Sequence, residues 1–141
     1  MNQSRLMGRG EGMQKVFKEC LTLDRRARDL YDLSSETMME HAALSIADIL
    51  QKRRAADNKD CRVLILCGPG DNGADGYVLA RLLMHTYNVT IFAPYAAKSE
   101  MAIKQRDRAL KLGISLIESH EEWTIDALPD ADIYVDALFG A

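Results

Sequence analysis

The sequence predicts an α/β domain: three layers, Rossmann-like, around a mainly parallel sheet, with two helices at the amino end. Three observations carry this. Apolar or β-branched runs at 61–67, 88–94, 114–118 and 131–140 have the length of strands. Between the first three lie stretches of helical spacing, 74–87 and 98–113. Strands separated by helices of about 10–15 residues are joined by crossovers and pair in parallel. The first third shows two amphipathic helical segments and no strand pattern.

The elements follow in order. Residues 1–12 are polar and hold no apolar stretch of the kind a secretory signal needs, so they are expected to be a disordered leader before a domain spanning 13–141. Arg5 and Arg9 weakly suit a transit peptide, and Glu11 counts against one. In 14–33, Val16, Phe17, Cys20, Leu21, Leu23, Ala27 and Leu30 have helical spacing. In 34–54, Thr37 and Glu40 form a T-x-x-E capping box, and Met39, Ala42, Ile46, Ile49 and Leu50 are expected to share the inward face. Lys52, Arg53 and Arg54 suit the end of a helix dipole. Residues 55–60 read as a loop. Pro94 ends the second strand, Gly113 closes the second crossover helix, and 121–128 is a short helix or turn.

Right-handed crossovers place these strands in the order 3-2-1-4. The switch point then falls between the strands at 61–67 and 131–136. Ligands of such sheets bind in the crevice at the carboxyl ends of the flanking strands. Here those ends are Gly68–Gly73 and Asp136–Gly140, segments far apart in the chain.

Composition narrows the classes of function. The 141 residues are 48% apolar and carry a net charge of −3. One domain with a real core is expected, and the balance gives no reason to expect a nucleic-acid or membrane partner. The three cysteines, Cys20, Cys61 and Cys67, include no CxxC pair and are read as reduced, in a cytoplasmic setting. The three histidines are scattered and give no zinc spacing.

The chemistry concentrates in GPGDNGADG, residues 68–76. Gly68, Gly70 and Gly73 satisfy G-x-G-x-x-G, but the second strand ends in IFAPY, without the acid that a dinucleotide dehydrogenase places on the ribose. The P-loop pattern fails as well, because Ala74 and Asp75 stand where lysine and a hydroxyl would be. What remains is a turn whose amides can meet phosphate at a helix start and whose side chains offer oxygens to a hard cation. Asp136 faces it across the switch point. An equally simple account has Asp71 and Asp75 as ordinary helix-start residues, with Asn72 only easing the turn. Spacing alone leaves both open.

Four segments in order resemble one family. GPGDNGADGYVLAR (68–81) is similar to the GxGNNGGDGxVxAR signature of the YjeF N-terminal domain, the NAD(P)H-hydrate epimerases. LTLDRRARDLY (21–31), TMMEHAA (37–43) and VDALFG (135–140) resemble its opening helix, its LMENAG segment and its DALFGTGL segment. The resemblance implies interconversion of the R and S forms of hydrated NADH and NADPH, a small-molecule substrate whose repair is finished by a fused or separate dehydratase. It implies substrate binding by Asp71, Asn72, Gly73, Ala74 and Asp75, a potassium ion held by Asn72 and Asp136, and Asp136 as the local candidate for catalytic acid–base work. A homodimer is expected from the same likeness. The alternative within this fold is a non-catalytic nucleotide-binding or dimerisation module.

The sequence departs from the pattern. Asp71 stands where the family usually has Asn, Ala74 where it has Gly, His41 where many members have Asn, and Ala43 where a Gly follows. The family continues past its GTGL segment, so the chain is expected to be incomplete at its carboxyl end, with the strand at 131–136 left at a sheet edge and activity weak or absent when the chain is alone.

Overall fold

The computed structural model describes residues 25–53, 58–119 and 122–140. The expected leader, the first part of the 14–33 helix, Cys20 and His120 lie outside the described residues. The chain divides into two units, 1–38 and 39–141.

In the first unit residues 25–31 are helical. The chain then turns through Asp32, which takes φ +51°, a left-handed conformation that aspartate tolerates. Helix α1 (Ser35–Arg53) begins next. Its cap is Ser34, whose Oγ accepts from the Thr37 amide at 3.1 Å. The expected Thr37–Glu40 box therefore does not form. Thr37 bonds the Ser34 hydroxyl, and Glu40 pairs with Arg81.

The second unit contains β1 (Asn58–Cys67), α2 (Asp71–Leu83), β2 (Tyr87–Ala93), α3 (Glu100–Lys111), β3 (Ser115–Glu118), a 3-10 turn (Ile125–Ala127) and β4 (Ile133–Ala137). The sheet has the order β3-β2-β1-β4, with every pairing parallel. The expected order is borne out. β1 begins earlier than expected, at Asn58, with an irregular register between Asn58 and Arg62. Its first residues are polar, so no apolar run announces them.

Register decides what each face carries. Val63, Ile65 and Cys67 lie level with Ile133, Val135 and Ala137, and Val63 and Ile65 with Val89 and Ile91. Residues level in neighbouring strands share a face. This face buries Ala74, Tyr77, Val78 and Leu83 of α2, Ala102 and Ala109 of α3, and Met39, Ala43 and Ala47 of α1. The inward stripe of α1 thus differs from the expected one: Met39 is in it, whereas Ala42, Ile46 and Ile49 are exposed. The Glu40–Arg81 pair fixes the rotation of α1, and the small Ala43 and Ala47 let it approach closely. Leu64, Leu66 and Phe92 lie on the opposite face, beneath Trp123, Leu128, Ala131 and Leu138. That distribution follows from handedness. The first two crossovers run one way along the sheet and put both helices on one face, while the return to β4 runs the other way and crosses the second face.

Candidate functional site

Three loops meet at the carboxyl ends of the strands: 68–70 after β1, 94–99 after β2 and 138–140 after β4. The Gly68 amide donates to the Ala137 carbonyl at 2.9 Å, and the amides of Lys98 and Ser99 donate to the Pro69 carbonyl at 2.8 and 3.1 Å. The glycine turn is therefore bonded to both flanking loops.

Two of its glycines leave no room for a side chain. A Cβ at Gly68 would stand 1.6 Å from the Leu138 carbonyl oxygen, and one at Gly73 would stand 1.9 Å from the Gly68 carbonyl oxygen. Backbone fills both positions. The turn folds under the start of α2 only because these residues are glycines.

Helix α2 begins at Asp71, with Gly70 as N-cap and no side chain capping it among the described residues. Asp71, Asn72, Gly73, Ala74 and Asp75 thus form its first turn and the residue beyond, not the loop read from sequence. The first amides of a helix lack partners within it and carry the positive end of its dipole, so an uncapped start accepts an anion. Ala74 is fully buried, and its methyl belongs to the core beneath α2.

Two carboxylates complicate that anion site. Burial, and then the Asp71 charge one turn earlier, push Asp75 up to about 6. Deeper along the helix, the Tyr77 hydroxyl is buried with no hydrogen-bond partner among the described residues, and burial raises its phenol above the usual range. Burial also raises the Cys67 thiol well above the range in which it would be reactive.

Asp136 lies level with Leu66, on the sheet face away from α2, and is exposed. Its Oδ1 accepts from the Leu138 amide at 3.0 Å, which leaves Oδ2 free of that turn. The loop it anchors returns toward α2: a Cβ at Gly140 would sit 3.8 Å from the Asn72 Cβ. The Asn72 end of α2 and the segment that Asp136 opens are thus neighbours at one end of the sheet.

The described residues contain no group of three His, Cys, Asp or Glu side chains able to hold a metal. The donors at this end are carboxylate, amide and backbone carbonyl oxygens. Such a set fits a weakly charged alkali cation better than a transition metal.

Sequence reasoning missed one feature of this end. The rings of Tyr95 and Phe139 pair with centroids 5.8 Å apart. Each stands two residues past its strand, and that shared offset was the available signal. A separate cavity of about 340 Å³, lined by Met84, Tyr87, Asn88, Val89, Gly113, Ile114 and Ser115, opens at the other end of the sheet, away from Asp71–Asp75 and Asp136.

Comparison with known proteins agrees with this fold. The profile of the family described as YjeF-related protein N-terminus matches residues 35–141. The chain is 35% identical over 129 residues to the bifunctional NAD(P)H-hydrate repair enzyme Nnr of Helicobacter pylori, covering 92% of this chain and 27% of that protein. It is 36% identical over 132 residues to the NAD(P)H-hydrate epimerase of Entamoeba histolytica, covering 91% of this chain and 56% of that one. With the NAD(P)H-hydrate epimerase of Phaeosphaeria nodorum the identity is 36%, over 87% of this chain and 50% of the relative. A crystal structure of yeast ynu0 superposes with a TM-score of 0.71 at 24% identity, over 87% of this chain and 55% of that one, and shares the fold. The chain spans about half the length of the epimerases it matches. With a profile match over residues 35–141, this chain belongs to the family of the YjeF-related protein N-terminus.

Proposed function

We propose that this chain carries the nucleotide-binding part of an epimerase that interconverts the R and S forms of hydrated NADH and NADPH. The observation that carries the reading is the junction of the glycine turn with the β4 loop: Gly68 bonded to Ala137, and Gly140 against Asn72. In this reading the start of α2, which has no side-chain cap among the described residues, would meet a diphosphate, and the neighbouring oxygen donors would meet a cation. Epimerase relatives of 36% identity support the substrate class, and the bifunctional relative supports a coupled repair step.

In this reading the amides of Asp71, Asn72 and Gly73 bind the diphosphate of the substrate. Asn72 and Asp136 would hold a potassium ion, which supplies positive charge beside Asp71 and Asp75 and so offsets their repulsion of phosphate. No phosphoryl group moves, so no lysine is required. The reaction inverts the hydroxyl-bearing ring carbon with no net gain or loss of atoms. In this reading Asp136 would hold or move the proton.

The test is direct. Pure R-form hydrated NADH is mixed with the 141-residue chain, and the S form is followed by chromatography, with and without potassium. A longer version with the carboxyl-terminal extension of its relatives is run in parallel, as is Asp136→Asn in that version. S form produced by the longer version, and at least a hundredfold less by its Asp136→Asn variant, supports the reading. No turnover by either length, together with no binding of NADP⁺, sinks it.

A further inference from the structure

The exposed aromatic pair is not accounted for by packing. Phe139 is 68% exposed and Tyr95 43%. The strands that deliver them, β2 and β4, lie on either side of β1. Two strand spacings separate such strands by about 10 Å, yet the ring centroids are only 5.8 Å apart, tilted by 50°. The rings therefore lean toward each other across the end of β1, where the glycine turn begins. Both are tethered there: the Tyr95 loop by the Lys98 and Ser99 amides on the Pro69 carbonyl, the Phe139 loop by the Gly68 amide on the Ala137 carbonyl.

We infer that Tyr95 and Phe139 form the ring-holding half of the site, against which the planar heterocycle of a diphosphate-linked nucleotide packs while its phosphates meet the start of α2. The inference rests on the nucleotide reading given above. A heterocycle sandwiched between two rings needs them about 7 Å apart, twice a carbon contact distance. At 5.8 Å the pair is too close. The ligand ring therefore lies on the outer surface of the pair, where the more exposed Phe139 provides most of the contact. Stacking of a base on an aromatic side chain is a sizeable, sequence-tolerant contribution to binding.

Calorimetry on the 141-residue chain tests this with three probes: ADP-ribose, nicotinamide mononucleotide and inorganic pyrophosphate. Phe139→Ala weakens at least one of the ring-bearing ligands roughly tenfold, Tyr95→Ala weakens it less, and Phe139→Tyr restores it. Pyrophosphate, which lacks a ring, binds all variants equally. The ring-bearing ligand that loses affinity identifies the end of the dinucleotide held there. Unchanged binding of both ring-bearing ligands in Phe139→Ala overturns the inference, as does an equal loss for pyrophosphate, which would mark a purely structural role. A parent chain that binds pyrophosphate but neither ring-bearing ligand overturns it while leaving the phosphate cradle intact. A parent chain that binds none of the three defeats the nucleotide reading itself, and the inference with it.

Discussion

Asp75 lies one helical turn after Asp71 on α2, and the earlier carboxylate, together with burial, raises the later one to about 6. An aspartate in the unfolded chain releases its proton near 3.8. Between those values the folded state binds more protons than the unfolded state, so this group makes stability fall as pH rises from about 4 to about 6. Above that window its cost is constant. Asp75→Asn removes the cost and is expected to stabilise the chain at pH 7 by about 1–3 kcal/mol, with little change at pH 4. Melts of both proteins at the two pH values check this. An equal difference at both would show that electrostatics is not the cause.

The glycines of the turn separate cleanly into required and free. Gly68→Ala drives a methyl into the Leu138 carbonyl, whereas Gly70 has no atom of the described residues within 4 Å of an added Cβ. Gly68→Ala is expected to cost more than about 3 kcal/mol, or to prevent folding. Gly70→Ala should stay within roughly 1 kcal/mol of the parent. Urea titration of the two variants gives the comparison, and similar midpoints would contradict the packing described for Gly68.

Arg81 joins three helices. It bonds Glu40 on α1 and, at 3.2 Å, Gln105 on α3, and Gln105 is fully buried. Glu40→Ala leaves a mostly buried guanidinium without its anion and is expected to cost about 2–3 kcal/mol. Arg81→Met combined with Glu40→Ala should cost less than the sum of the single changes. A double-mutant cycle by chemical denaturation reads the coupling, and additivity within about 0.5 kcal/mol would mean the pair is not coupled.

Potassium is expected to raise the melting temperature in the presence of NADP⁺, and sodium to raise it less. A ligand at 100 times its Kd stabilises the native state by about 2.7 kcal/mol. Asn72→Ala is expected to abolish the difference between the two salts while leaving the melting temperature without ligand nearly unchanged. Persistence of the difference in Asn72→Ala would remove Asn72 from the proposed cation site.

Much of the sheet was legible in the sequence, because period and apolar content are local signals. The runs VLIL and IYV read as strands from their own residues, and handedness then left one strand order. That order also brings the Asn72 end of α2 near the segment Asp136 opens, since the switch point lies between β1 and β4. What stayed hidden depends on partners distant in the chain. The rotation of α1 is set by Glu40 meeting Arg81, so Ile46 and Ile49, equally apolar by composition, turn outward. The start of α2 at Asp71 was obscured because glycine and aspartate favour turns, whereas close packing of Gly73 on Gly68 holds them in a helix. The meeting of Tyr95 with Phe139 shows in the sequence only as a shared offset past two strands, which cannot be read before the strand ends and their order are known.

The parallel order has a kinetic corollary for the crossed tethers at the end of β1. The turn at 68–70 and the loops at 94–99 and 138–140 are remote in sequence, and a few amide–carbonyl bonds tie them: Lys98 and Ser99 to Pro69, and Gly68 to Ala137 at the end of β4. Thinly held strand ends fray first and exchange their hydrogens fastest. A molecule that bridges the three would act as a staple between remote parts of the polypeptide, slowing deuterium uptake at Gly68, Lys98 and Ser99 together.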